Sequence, residues 1–288
     1  MKILVFGQSG QVATELRALH SDAIQITTLA RSDADLTDPA GCAALIDTYA
    51  PDAVINAAAY TAVDHAESDT EPAHLINADA PAAMASTCAA RDIPFVSIST
   101  DYVFSGAGDT PWKPADDTDP QSVYGRTKRD GEVAIVKAGG RYAVLRTSWV
   151  VSAHGNNFVK TMLRLGSERE ALTIVADQIG SPTGAAEIAQ ACVTIAKILV
   201  SEPGKSGIYH FAGGPDTHWA DFARAIFDAA KIPCAVTDIS SSKYPTPAKR
   251  PLNSRLDCSA TEAAFGISRS DWRESLTHIL NQLDFPKD

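Results

Sequence analysis

Apolar runs and polar breaks alternate along the first half of the chain. Lys2 to Phe6 is a short apolar run, the form of a strand buried on both faces. Runs of the same kind recur at Gln25 to Leu29, Asp52 to Asn56, Pro94 to Ser99 and Ala143 to Thr147. Thr14 to His20 and about Glu71 to Arg91 read as helices, as does the segment that follows the loop Ser105 to Pro120. Strands and helices alternating at this spacing predict right-handed βαβ units and a mostly parallel α/β sheet over residues 1–150. After Val150 the rhythm loosens. A helix opens at Gly155-Asn156-Asn157-Phe158 and runs to about Leu165. Leu172 to Ala176 reads as strand, Ala185 to Val200 as helix, Gly207 to Phe211 as extended and His218 to Lys231 as helix. Ser240 to Asn253 holds three prolines and reads as loop, and a last helix lies near Asp271 to Leu283. Residues 151–288 are assigned to a smaller lobe, partly interleaved with the first.

The first strand is followed at once by Gly7-Gln8-Ser9-Gly10-Gln11-Val12-Ala13. Strand, glycine-rich turn, helix is the setting of a dinucleotide fingerprint, and it makes the first lobe a doubly wound Rossmann-type sheet. Gly7 permits the turn, Gly10 lets a pyrophosphate near the backbone, and Ala13 leaves room for close helix packing. A purely structural turn would use the same glycines. The second strand ends in Ala30-Arg31-Ser32, with no carboxylate to hold an adenosine ribose. Arg31 could pair with a 2′-phosphate, or be a solvated surface charge. Ligands bind beyond the carboxyl ends of such strands, which places Thr100 and Asp101 where chemistry is expected, unless they serve as caps.

Composition narrows the field. Of 288 residues, 45% are hydrophobic and 21% charged, a globular balance. The net charge of −10 argues against nucleic acid as partner, because that binding rests on a basic surface. The five cysteines are scattered without C-x-x-C spacing, so neither a zinc site nor a disulfide framework is expected. No apolar run suits a signal peptide or a membrane span, and a cytoplasmic protein without a membrane partner is expected.

Tyr124 and Lys128 stand four apart, on one face of their helix. A phenol has a pKa of about 10, and a nearby ammonium lowers it, which makes the pair a proton-transfer device. The same spacing also arises by chance on a helix face.

Several further stretches accompany this pair in order: Ser99-Thr100-Asp101-Tyr102-Val103-Phe104, Arg146-Thr147-Ser148-Trp149-Val150, Gly155 to Leu163, Asp177-Gln178, and Arg250 to Leu256. Over nearly the whole chain the series resembles the dTDP-4-dehydrorhamnose reductases, which are extended short-chain dehydrogenases. The resemblance implies reduction of the C4 ketone of dTDP-4-dehydro-L-rhamnose with NADPH or NADH, the last step of dTDP-L-rhamnose synthesis. It implies Tyr124 as proton donor, Lys128 as the group that lowers its pKa and holds the nicotinamide ribose, and Thr100 as a hydrogen-bond partner near the ketone. Asp101, Tyr102 and Trp149 would face the sugar nucleotide. Gly10, Gln11, Val12, Asp35, Leu36, Ala58, Ala59 and Tyr60 fall at positions of cofactor contact. Arg250 and Asn156 are assigned to the substrate's dTDP end, with Lys160 and Asn157 nearby; Arg250 could instead anchor its Pro-rich loop.

Some relatives are thought to dimerise through Mg²⁺ held by glutamates. Glu15 fits that pattern, Glu187 fits after a one-residue shift, and Gln282 stands where a third glutamate would be. No metal is assigned to the chemistry, and a monomer or homodimer is expected. A nucleotide-sugar epimerase or dehydratase with retained NAD is the competing enzyme reading. Thr100-Asp101-Tyr102 has no glutamate after its aspartate, which favours the simple reductase. A non-catalytic regulatory subunit on the same fold is a third reading, countered by the presence of both Tyr124 and Lys128.

Overall fold

The computed structural model describes residues 1–285, so the last three residues of the expected second lobe lie outside the described residues. Six parallel strands form the central sheet: β1 (Lys2–Phe6), β2 (Gln25–Leu29), β3 (Ala53–Asn56), β4 (Phe95–Thr100), β5 (Tyr142–Thr147) and β6 (Gly207–His210). Their order is β2-β1-β3-β4-β5-β6. The chain thus moves outward from β1 in both directions, and the crevice where it reverses is the expected ligand site of such sheets.

The inner strands β1 and β3 are largely apolar because each face is covered, whereas the edge strand β2 leaves Gln25 and Thr27 exposed. Ile3, Val5, Ile55, Val96 and Leu145 pack on one side against Ile188, Cys192 and Ile195 of the helix Ala185–Ser201. Leu4, Phe6, Val54, Phe95 and Val144 pack on the other, against Ile46, Met84, Cys88 and Ile135. Alternate residues of one strand therefore serve two cores. Burying each such side chain stabilises the fold by about 1.5–3 kcal/mol relative to exposure.

A second core lies beyond the sheet. Val159, Met162 and Leu163 of the helix Phe158–Glu168 meet Phe222, Ile226 and Phe227 of Trp219–Ala230 and Trp272, Leu276 and Ile279 of Trp272–Gln282. A parallel pair of strands, Ala171–Val175 and Ala235–Ile239, borders it.

The expected boundary at residue 150 is crossed twice. The helix Ala185–Ser201 covers one face of the sheet, and β6 completes its edge beside β5. The expected long helix from Glu71 is interrupted by a π-helical turn at Leu75–Asp79. The strand Ala235–Ile239 and the helix Ser259–Phe265 carried no periodic signal strong enough to be read. All five cysteines are free and buried. Among the described residues no helix is long and apolar enough to cross a membrane.

Candidate active site

A cleft of about 770 Å³ opens beyond the carboxyl ends of β1, β3, β4 and β5. Its first wall is the glycine loop. Gly7 has φ +116°, and a Cβ there would press on the backbone of Ala57 at 3.3 Å and on Ala13 at 3.4 Å. Only glycine at 7, with a small residue at 13, lets the loop turn this tightly. Gly10 caps the helix Gln11–Ala18 without a side-chain hydrogen bond. A Cβ on Gly10 would meet nothing nearer than Ala57 O at 4.0 Å, so the space above it is open. The first amides of that helix have no intrahelical acceptor and face an open cradle, which fits the pyrophosphate of a dinucleotide.

The expected cofactor contacts divide. Gly7, Gly10, Gln11 and Val12 line the cleft, as do Arg31, Asp35, Leu36, Ala58 and Ala59. Arg31 is largely exposed and lies 3.7 Å from Asp35. Asp35 also accepts from the Thr37 amide and hydroxyl, which holds its carboxyl below the usual range. Gln11 lines the cleft, yet its carboxamide serves the protein, accepting from Ser152 Oγ and Asn157 Nδ2 at 2.9 Å each. Tyr60 departs from expectation and is not among the lining residues. Its amide donates to Asn77 Oδ1 at 2.8 Å, its hydroxyl donates to Asp69 at 2.8 Å, and its ring packs by Ala66, Ala73 and Val123. Asn77 comes from the π-helical turn, so that turn, not the cofactor side, fixes Tyr60.

The reacting end is built by β4 and the helix Val123–Ala138. Thr100 ends β4, accepts from the Tyr102 amide at 3.2 Å and donates to Asp101 Oδ1 at 3.1 Å. It therefore acts as a cap and also lines the cleft. Burial raises the Asp101 pKa to about 6, although hydrogen bonds from Ser254 and Thr100 pull it back. Ser122 caps the helix Val123–Ala138 by accepting from the Gly125 amide at 3.1 Å. Gly125 then lets the helix lie against the 101–103 turn: a Cβ there would stand 2.2 Å from Tyr102 O. This close approach puts Tyr124 on the same cleft wall as Thr100, near enough for Thr100 to offset part of the effect of burial on its phenol.

Tyr124 and Lys128 both line the cleft, but the ammonium does not act on the phenol as the spacing suggests. Lys128 is 4% exposed and donates from Nζ to Ile98 O at 2.8 Å. Burial brings the Tyr124 pKa up to about 12. Burial likewise brings the Lys128 pKa down to about 8, against the attraction of Glu132 one turn later. Glu132 is itself paired with Arg146, Nη2 to Oε2 at 2.7 Å, and both are buried under the site. The phenol is thus held as a neutral acid rather than as a phenolate.

Of the expected substrate contacts, Asp101, Tyr102, Trp149 and Asn156 line the cleft. Trp149 has φ +49°. Arg250 is not among the lining residues. It pairs with Asp64, Nη2 to Oδ2 at 2.6 Å, and its charge lies near enough to act on the Tyr102 phenol, while its Nη1 is buried without a partner. Asn157 caps the helix Phe158–Glu168 and is fully engaged there. Lys160 lies in that helix's first turn, and only its amide, capped by Asn157, is involved. Sequence reading missed Gln8, Thr61, Val63, Ile76, Thr147 and Gly155 as lining residues. Thr147 had a signal, since it is the register partner of Thr100 on the next strand. Glu15 meets His154 and Glu187 meets Ser275, and the described residues contain no group of three side chains suited to a metal.

Residues 1–285 match a family model described as the RmlD substrate binding domain. The dTDP-4-dehydrorhamnose reductase of Sinorhizobium fredii is 42% identical over 286 residues, which cover 97% of each chain. The crystal structure of a dTDP-4-dehydrorhamnose reductase from Clostridium acetobutylicum superposes with a TM-score of 0.91 at 34% identity, over 98% of this chain and 99% of that one. The dTDP-4-dehydrorhamnose reductase from Bacillus anthracis, solved in complex with NADP, gives 0.89 at 31% identity, over 98% and 99%.

Proposed function

This chain belongs to the dTDP-4-dehydrorhamnose reductase family, and on that footing we propose that it reduces the C4 ketone of dTDP-4-dehydro-β-L-rhamnose to dTDP-β-L-rhamnose with NADPH or NADH. The observation that carries the reading is the convergence of Tyr124, Thr100 and Lys128 on the floor of a cleft that begins at an open glycine loop.

The residues present fit a nicotinamide dinucleotide. The amides after Gly10 take the pyrophosphate, Asp35 and Leu36 flank the adenosine, and Arg31 meets a 2′-phosphate. When bound, that cofactor supplies the hydride. Tyr124 then gives its phenolic proton to the C4 oxygen as negative charge gathers there. A neutral phenol suits this direction, because the acid must hold its proton until an alkoxide, a stronger base, forms beside it. Thr100 hydrogen-bonds the same oxygen. Lys128, one turn away, supplies positive charge for the phenolate left behind. Trp149 and Tyr102 flank the sugar. Asn156, on the cleft wall, meets the nucleotide end, and Arg250, outside the lining with Nη1 buried and unpartnered, is the second group assigned to it.

The direct test is NADPH oxidation with dTDP-4-dehydro-L-rhamnose generated in situ. Substrate-dependent oxidation yielding dTDP-L-rhamnose is expected. NAD that co-purifies and survives until denaturation, with no net oxidation, would instead point to an epimerase.

A further inference from the structure

Trp149 is held in place by two residues that do not themselves line the cleft. On one side its indole lies nearly parallel to that of Trp219, with ring centroids 3.5 Å apart and planes at 12°. Gly180 also lies against the indole. A Cβ on Gly180 would come within 2.7 Å of Trp149 Cε2 and 2.9 Å of Cζ2, so any other residue would displace the indole.

Neither support can easily move. Gly180 belongs to a short strand paired with Thr217–His218, while its neighbour Ile179 bridges to Asn253. Trp219 donates from Nε1 to Gln178 Oε1 at 3.1 Å, and Gln178 donates from Nε2 to Ser241 Oγ at 3.0 Å. Phe158 packs on Trp219 with ring centroids 4.5 Å apart. The backbone of Trp149 is constrained too. It sits in the left-handed region, uncommon for so bulky a residue, and its carbonyl accepts from the Thr183 amide at 3.1 Å. A left-handed backbone aims the indole, and a stacked partner and a missing Cβ fix where it comes to rest.

We propose that Trp219 and Gly180 are positioning residues for nucleotide-sugar binding, holding the Trp149 indole as a rigid wall of the cleft. The inference rests on the reading that Trp149 touches the substrate. Binding to a preset aromatic wall avoids the loss of side-chain freedom that a mobile ring would suffer. The supports therefore act on sugar-nucleotide affinity and leave the cofactor side untouched.

The test uses the full chain and four variants: Trp149→Ala, Trp219→Ala, Trp219→Phe and Gly180→Ala. Two indoles this close couple their transitions and give a paired band in the ultraviolet circular dichroism of the wild type. Trp219→Ala should abolish that band and raise KM for the sugar nucleotide about tenfold, the scale of one lost aromatic contact. The Kd for NADPH should stay unchanged, and kcat should stay within a small factor. Trp219→Phe should also lose the band but recover most of the KM, because a ring still backs the indole. Gly180→Ala should raise KM with the band weakened. Should Trp219→Ala prove unable to fold, the Phe and Gly180 variants still decide the matter. If Trp149→Ala raises KM while Trp219→Ala and Gly180→Ala do not, the positioning role alone is refuted. If Trp149→Ala leaves KM at the wild-type value, the substrate contact itself is refuted and the positioning role falls with it.

Discussion

Gly125 rests against the carbonyl oxygen of Tyr102, leaving no room for a Cβ, which would stand 2.2 Å away. The contact sets the distance between the helix Val123–Ala138 and the end of β4, and so between Tyr124 and Thr100. Gly125→Ala should push the helix outward. Overpacking of this kind destabilises by about 1–3 kcal/mol, and the misplaced phenol should lose roughly 10²-fold in kcat. Steady-state kinetics beside thermal melting would check this. A variant that melts lower but turns over normally would show that the contact serves stability alone.

Tyr124→Phe removes one hydroxyl and leaves the ring's packing on Tyr102, with centroids 5.4 Å apart. Folding and NADPH affinity should change little. The kcat should fall about 10²-fold or more, the scale of a positioned acid. Turnover near wild type would remove Tyr124 from the proton transfer.

Lys128 yields opposite pH dependences for activity and stability. Its folded pKa is lowered from 10.5 to about 8 by burial. Between those values the unfolded chain binds more protons than the folded one, so this group's contribution to stability rises with pH across that window. Activity that needs the ammonium falls over the same range, with an alkaline limb near pH 8. Chemical denaturation from pH 7 to 10 should show the rise in wild type and not in Lys128→Met. An activity profile flat through pH 10 would mean the charge plays no part in turnover.

Arg250→Lys keeps the charge but loses the planar fork whose Nη2 holds Asp64 and whose Nη1 has no partner. If Nη1 reaches the sugar nucleotide, KM should rise about tenfold or more, as for a lost charged hydrogen bond, with Kd for NADPH constant. If the melting temperature drops instead and KM holds, the Asp64 pair merely fastens the Pro-rich loop.

Where the sequence could be read, the reason was local. Val5, Ile55 and Val96 sit in apolar runs because both sheet faces are covered, and a run announces itself without its neighbours. Gly7 and Gly10 were legible because their task is a turn within one loop. The pairing of Gly207–His210 with β5 was not, since nothing in that tetrapeptide names a partner more than sixty residues earlier. Tyr60 is held elsewhere by Asp69 and Asn77, nine and seventeen residues on, and no local pattern announces those two hydrogen bonds. The Tyr124–Lys128 spacing put both residues on the cleft, but it could not announce their protonation. Ile98 O takes the ammonium and burial outweighs attraction, and neither can be read from a spacing of four.

The late arrival of β6 bears on how the chain is made. A ribosome releases β5 some sixty residues before the strand that will cover it. Until then the amides and carbonyls of Tyr142–Thr147 form an open sheet edge, next to apolar Val144 and Leu145, the kind of surface that pairs with strangers. The helix Ala185–Ser201, which covers one face of the sheet, emerges only shortly before β6. A fragment ending at residue 150 would carry the whole glycine loop and Tyr124 yet remain sticky and unfinished. The first lobe, though it carries these residues, is therefore not a unit of folding, because its sheet is completed by segments beyond residue 150.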